Sequence, residues 1–332
     1  MNAAVLKSTA CAMVANGKGI LAADESSKTI QKRFDKIGLG SNPDTNLAYR
    51  KILFTTPGIE NYLSGVILFD ETIRQSIDGI SVPEYLLGKG ILPGIKVDRG
   101  IVDLPNFPEE KITEGLDGLR ERLKEYVQMG TKFAKWRAVI TIGQDVPTDT
   151  CIEANAEVMA RYASLCQEQD IVPIVEPEVL MDGDNTLEIC REVTARTLKA
   201  FFAKLLAHKV ILEGTILKPN MIISGKKCPT QTSSAEVAKA TVETFLQVVP
   251  KEVPGIVFLS GGQTPDQATE NLAKINMTSG SLWQLSYSYG RALQEEALSV
   301  WAGKDDNTEV AQKTFLERVK KASDARSQKP AS

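Results

Sequence analysis

Three observations predict an α/β fold, a single (β/α)8 TIM barrel. Eight short apolar runs are spaced along the 332 residues, helical patterns separate most of them, and each run ends in polar or charged residues. Barrels carry their chemistry at the C-terminal ends of their strands, so the third observation bears on function as well as fold. A doubly wound sheet is the alternative, but it needs no eighth strand.

The candidate strands in order are GILAAD (19–24), GVILFDE (65–71), PGIKVD (93–98), FAKWRAVI (133–140), IVPIVEPEV (171–179), EGTILKPN (213–220), GIVFLSGG (255–262) and LWQLSYSYGR (282–291). Among the intervening helices, Val158, Tyr162 and Cys166 recur at four-residue steps, and Leu187 through Leu205 keeps a helical period. Two helix starts are marked by their caps. Ser233 with Glu236 reads as a capping box, and Thr264-Pro265-Asp266-Gln267 combines an N-cap, a proline at the first helical position and a glutamine two residues on. One domain is expected over 1–332, with a short flexible tail from about 322 to 332.

Composition removes several function classes. The chain is 42% hydrophobic and carries a net charge of −3, with acids and bases mixed throughout and no basic stripe for nucleic acid or an anionic membrane. Its first residues have no charged region ahead of a long apolar one, and no later run approaches a membrane span, so a cytoplasmic protein without a targeting segment is expected. The sequon Asn276-Met277-Thr278 would matter only in a secreted chain. Cys11, Cys151, Cys166, Cys190 and Cys228 are odd in number, scattered and never in a CxxC pair, which supports neither a disulfide framework nor a zinc ribbon. His208 is the single histidine, so a zinc-dependent sugar aldolase or an HExxH hydrolase, which needs two such ligands, is excluded. No GxSxG elbow accompanies it, and a position at a helix C-terminus suits it. GLGSNP (38–43) lacks the third glycine of a dinucleotide loop and reads as a turn, and no GxxxxGK[ST] occurs. No metal and no cofactor are expected.

Asp24, Lys96, Lys135, Glu176, Glu178, Lys218, Ser260 and Arg291 all lie inside or just after an apolar run, at the end where a barrel works. Singly, each has a plain explanation: Lys96 and Asp98 as a solvated strand end, or EPE as a surface turn around Pro177. On one rim they form a pattern. The strand period of two puts Glu176 and Glu178 on one side, and likewise Lys135 and Arg137. Three neighbouring lysines would repel one another, and repulsion with burial disfavours the ammonium, leaving one amine free to attack a carbonyl. Lys218 is the best candidate, because the apolar TIL before it can desolvate it.

Three stretches suit anions, and they make two sites. Ser260-Gly261-Gly262 and Ser288-Tyr289-Gly290-Arg291 end strands 7 and 8, where barrels often bind phosphate. Ser26, Thr29 and Arg33 follow Asp24 at spacings a helix start could gather. Anion sites on either side of a reactive lysine would suit a sugar phosphorylated at both ends. Residues alone thus point to a Schiff-base enzyme acting on phosphorylated carbonyl compounds.

GKGILAADES, GVILFDET, GIKVD, FAKWR, IVPIVEPE, EGTILKPNM, FLSGGQ and SYGRALQ occur in this order, and together they resemble the class I fructose-1,6-bisphosphate aldolases over about residues 15 to 320. The resemblance implies a glycolytic lyase in which Lys218 forms the imine, Glu176 is the general acid and base with Glu178 beside it, Lys135 assists proton transfer and Asp24 attends the C4 hydroxyl. It further implies Ser260, Gly261, Gly262, Ser288, Gly290 and Arg291 at the C1-phosphate, Ser26, Thr29, Arg33 and Lys96 toward the C6-phosphate, and Arg137 near the substrate. Phosphorylated ketoses and trioses are the implied substrates, with a homotetramer and a secondary protein-binding role also implied. Relatives extend into a tail ending in tyrosine, which is absent from ARSQKPAS, so slow turnover of the enamine is expected. A preference for sedoheptulose bisphosphate or fructose 1-phosphate, and a role as a binding scaffold, remain alternatives.

Overall fold

The structure is a computed structural model that describes residues 1–278, 280 and 282–328. Eight parallel strands close a barrel: β1 (Gly19–Ala23), β2 (Leu63–Leu68), β3 (Leu92–Lys96), β4 (Phe133–Ile140), β5 (Val172–Val179), β6 (Ile216–Leu217), β7 (Gly255–Phe258) and β8 (Gln284–Tyr289). Each pairs with its neighbours in sequence, and β8 closes on β1 with Ile20 opposite Ser288. The predicted strands are thus found, most of them ending earlier than expected, and the one in EGTILKPN is the shortest. Of EGTILKPN only Ile216 and Leu217 are laddered, because Pro219 has no N–H to offer; past them Lys218 donates its N–H to the Val175 carbonyl at 2.8 Å and the Pro219 carbonyl accepts the Leu259 N–H at 3.0 Å.

The α-helices are α1 (Ala3–Met13), α2 (Ser27–Phe34), α3 (Pro43–Thr55), α4 (Asp70–Ile73), α5 (Val82–Gly88), α6 (Leu119–Gln128), α7 (Asp149–Glu168), α8 (Leu187–Ala207), α9 (Ser234–Val248), α10 (Pro265–Thr278), α11 (Arg291–Trp301) and α12 (Thr308–Arg326). The two predicted caps form. Ser233 and Glu236 make the reciprocal capping box of α9, and Thr264 and Gln267 bond each other's backbone at α10. GLGSNP is a turn whose Asn42 caps α3 ahead of Pro43. The tail expectation is corrected. α12 continues to Arg326 because Ala322, Ser323, Ala325 and Arg326 are buried against the barrel floor, while 329–332 lie outside the described residues. No helix among the described residues is long and apolar enough to cross a membrane.

Alternation along the strands builds two cores. Outward residues such as Leu21, Val66, Ile95, Trp136, Val175 and Ile256 pack under the helices. Inward ones, Ile20, Ile67, Phe133, Ile174, Ile216 and Val257, fill the barrel together with Leu6, Ala10 and Met13 of α1, which plugs the N-terminal mouth. Phe133 fits because Gly94 beside it has no side chain: a Cβ there would stand 2.2 Å from the ring. Above this apolar layer the inward positions turn charged. They are Asp24, Lys96, Lys135, Arg137, Glu176, Glu178 and Lys218.

Candidate active site

The charges meet at the C-terminal mouth because parity and register aim them there. Lys96 pairs in register with Lys135, and Arg137 with Glu176, on adjacent parallel strands whose partners share a face. Lys218 Nζ lies 3.1 Å from Glu176 Oε1, and Lys135 Nζ lies 3.6 Å from Glu176 Oε2 and 2.8 Å from Asp24 Oδ2. Glu176 therefore sits between two lysines, each almost wholly buried. Arg137 is ion-paired with Glu178. EPE is a buried strand rather than a surface turn.

The expected repulsion among lysines is corrected by what stands between them. Lys96 is paired with Asp98, and Asp98 Oδ2 also lies 4.0 Å from Lys135 Nζ. Burial pulls the Lys135 ammonium down, but Asp24, Glu176 and Asp98 outweigh it and hold this lysine well above its ordinary range. Burial likewise pushes Asp24 up, yet Lys135, Lys218 and Lys96 bring it from 3.8 to about 2. Arg137 is lowered by burial and raised further by Glu178, with a net rise. Lys135 is thus a fixed cation and Asp24 a fixed anion through the neutral range.

All the anion-binding candidates except Lys96 and Arg137 occupy a continuous arc. The sequence spacing sets them on either side of Lys218, but closure of β8 on β1 joins the loops after β7, β8 and β1 instead. Ser288 is buried and its Oγ has no hydrogen-bond partner among the described residues. Gly290 sits at the start of α11, with exposed Arg291 next to it, and Arg33 Nη2 lies 3.6 Å from where a Gly290 Cβ would stand. Ser26 occupies the N-cap of α2 without using its side chain on the helix backbone, and its Oγ lies 3.2 Å from Thr29 Oγ1. Arg33 is paired with Glu25. Ser260 is buried, and Gly261 and Gly262 present bare backbone beside Glu178 and Met181. Lys96 stands across the mouth, on β3.

Sequence reading missed three groups. Asp98, dismissed as a solvated strand end, is buried under the hairpin Gly100–Asp103 and Lys111–Glu114, whose Gly100 N–H donates to it at 3.2 Å. Glu25 takes Arg33 and the Gln294 amide (3.0 Å), while the fully buried Arg50 donates to the Glu25 carbonyl at 2.9 Å. Asn220 accepts the Val179 N–H at 3.1 Å and donates to Thr194 at 3.2 Å, tying the end of β6 to the end of β5 and α8. The parity of Asp98 and the polar Asn220 directly after Lys218-Pro219 were the available signals. His208 lies at the C-cap of α8, 2.9 Å from Glu157 and remote from the mouth.

A lysine touching a carboxylate in a site shielded from water can exchange its proton with that carboxylate and become a nucleophile. Comparison with known proteins agrees in kind. The family of class-I fructose-bisphosphate aldolases, a glycolytic family, matches residues 5–331. A probable fructose-bisphosphate aldolase class 1 of Xanthomonas campestris pv. campestris is 54% identical over 318 residues, covering 95% of each chain. The fructose-bisphosphate aldolase of Dictyostelium discoideum is 48% identical over 95% of this chain and 89% of its own. A solved fructose-bisphosphate aldolase of Plasmodium falciparum, in complex with TRAP and a small-molecule inhibitor, superposes with a TM-score of 0.97 at 46% identity, covering 99% of this chain and 96% of that one.

Proposed function

This chain belongs to the class I fructose-bisphosphate aldolase family, and from that premise we propose that it cleaves fructose 1,6-bisphosphate reversibly through an imine on Lys218, with no metal taking part. The observation that carries this reading is the 3.1 Å contact between Lys218 Nζ and Glu176 Oε1 in a site where both side chains are buried.

The Lys218 ammonium passes a proton to Glu176, and the freed amine adds to the C2 ketone. Glu176 returns the proton to the carbinolamine hydroxyl, water leaves, and a protonated imine remains. Asp24 stands beside the C4 hydroxyl, whose proton faces Glu176. As the C3–C4 bond breaks, its electron pair moves toward the iminium nitrogen to give an enamine, the hydroxyl proton goes to Glu176, and glyceraldehyde 3-phosphate departs. Protonation of the enamine at C3 and hydrolysis release dihydroxyacetone phosphate. Lys135, fixed as a cation, stabilises the carboxylates through these transfers. Ser260, Gly261, Gly262, Ser288, Gly290 and Arg291 receive one phosphate, and Ser26, Thr29, Arg33 and Lys96 the other, with Arg137 facing the sugar between them. We further propose a cytoplasmic homotetramer. A secondary protein-binding role is suggested by the TRAP complex of the Plasmodium relative.

Borohydride trapping tests the mechanism. The protein is incubated with dihydroxyacetone phosphate and EDTA, reduced, digested and mapped by mass spectrometry, with Lys218→Met as control. One adduct on Lys218, unaffected by EDTA and absent in the variant, is expected. An adduct on Lys96 or Lys135, or none at all, would overturn the assignment.

A further inference from the structure

We propose that Lys226 is a further phosphate-recruiting residue at the loop after β7, held in reserve by Asp182; this rests on the reading that Gly261 and Gly262 receive a substrate phosphate. The loop after β6 is not free to wander. Gly225, Lys226 and Lys227 donate their backbone N–H groups to the carbonyls of Asn185, Met181 and Gly183 at 2.8, 2.8 and 2.9 Å, so the loops after β5 and β6 are laced into a short ribbon. That ribbon fixes the backbone of Lys226 at the mouth of the barrel.

From there its side chain crosses toward the β7 loop. Lys226 Cε lies 3.5 Å from where a Cβ on Gly262 would stand, and Nζ is one bond further along. Gly262 has a φ of +79°, and a Cβ on it would collide with Met181 Cγ at 2.0 Å, so this stretch of backbone stays bare. Met181 and the Lys226 stem therefore share the Cβ face of Gly262, with Glu178 Oε1 beside Gly261, and a phosphate settling on this backbone comes within reach of the Lys226 ammonium.

Among the described residues Lys226 makes one ion pair, to Asp182 at 2.7 Å, with both side chains about half exposed. An exposed pair of this kind is weak, because water screens both charges, and is easily exchanged for a doubly charged phosphate. Asp182 thus competes with the substrate for the ammonium. The consequence is a specificity element: Lys226 favours ligands that are phosphorylated at the end bound by the β7 loop and is indifferent to ligands that are not.

The test measures KM and kcat for fructose 1,6-bisphosphate, and Ki for inorganic phosphate as a competitor, in the full chain and in Lys226→Met, Asp182→Asn and the double variant. Lys226→Met is expected to raise KM and Ki by roughly two- to fivefold, with the change falling on KM rather than kcat. Asp182→Asn is expected to lower both, and the double variant to match Lys226→Met, because Asp182 acts only through Lys226. Three unchanged values with phosphate still competing would overturn the role of Lys226 while leaving the phosphate site standing. A full chain that phosphate does not inhibit competitively would overturn the site and the inference together.

Discussion

Lys135 at the C-terminal mouth of the barrel and Arg326 at the N-terminal mouth are both buried cations in opposite settings. Lys135 is surrounded by the carboxylates of Asp24, Asp98 and Glu176. Arg326 meets carbonyls: Val14 at 2.6 Å, Leu285 at 3.3 Å, Ala15 and Lys18, with the Gln284 amide oxygen at 3.2 Å. Burial therefore wins at the floor, where it pulls Arg326 down to about 10 against a small push upward from Tyr287, and loses at the mouth, where Lys135 rises. Neutral acceptors satisfy a guanidinium's donors without giving it an anion to exchange. Carboxylates hold an ammonium in place and can also move protons, and that difference separates a structural cation from one in a site.

Exchanging each cation for an apolar residue of similar length breaks the comparison at its strongest point. Lys135→Met leaves three carboxylates facing one another without their shared cation, and kcat/KM for fructose 1,6-bisphosphate is expected to fall by about 10²–10⁴-fold. The loss should be accompanied by a shift of the acid limb of the kcat profile to higher pH, since Asp24 loses the Lys135 charge that holds its carboxyl down. Unchanged activity would mean that the acid cluster needs no cation.

Arg326→Met makes the complementary change. It leaves the Val14 carbonyl without its donor and strips the Arg326 hydrogen bonds from Ala15 and Lys18, which keep the Lys18 N–H (3.1 Å) and the Ser286 hydroxyl (2.9 Å) respectively, and should cost about 3 kcal/mol of stability by denaturant unfolding, with kcat altered less than about twofold. A drop in kcat comparable to that of Lys135→Met would show that the floor reaches the site.

How legible these two ends were in the sequence follows from the same contrast. The mouth could be read because strand period and register are local properties: Lys135, Glu176 and Lys218 each follow apolar residues at a spacing that fixes their face. Asp98 escaped because its burial comes from a hairpin folding back over it from residues 100–114, which no pattern around GIKVD announces. Glu25 was hidden beside Asp24, since its partners Arg50 and Gln294 arrive from α3 and α11. Arg326 was misread altogether. KKASDARSQKP is hydrophilic and looks like a loose end, and only the ring of carbonyls at the barrel floor makes its burial favourable. Long-range polar satisfaction was the illegible part.

Acid stability sharpens the comparison at smaller scale. Asp24 has a folded-state pKa of about 2 against an ordinary 3.8, so its contribution is present above 3.8 and is lost as pH falls toward about 2. At 1.36 kcal/mol per unit this amounts to about 2 kcal/mol. Asp24→Asn should accordingly flatten the dependence of unfolding free energy on pH across that window. A slope unchanged from that of the unaltered chain would locate the acid sensitivity elsewhere.

The smallest effect asks whether lying at the C-terminal mouth is enough to matter for catalysis. Ser233 caps α9 on that face, downstream of Lys218, yet it touches none of the charged cluster. Its Oγ accepts the Glu236 N–H at 3.4 Å, and its own N–H donates to Glu236 Oε2 at 2.9 Å. Removing the hydroxyl frees one helix-terminal donor at an exposed position, which costs about 1 kcal/mol. In a chain of this size that is a fall in Tm of about 2 °C. Ser233→Ala should show this fall by calorimetry with kcat and KM unchanged, because α9 is also held by Val237, Ala238, Thr241 and Phe245 packed beneath it. Were KM to rise instead, the start of α9 would be transmitting its cap through residues 219–232 to Lys218, and the mouth would behave as one coupled unit. If only Tm moves, function at this end of the barrel resides in the buried chain of Lys218, Glu176, Lys135 and Asp24, and the surrounding helix starts serve to hold the rim.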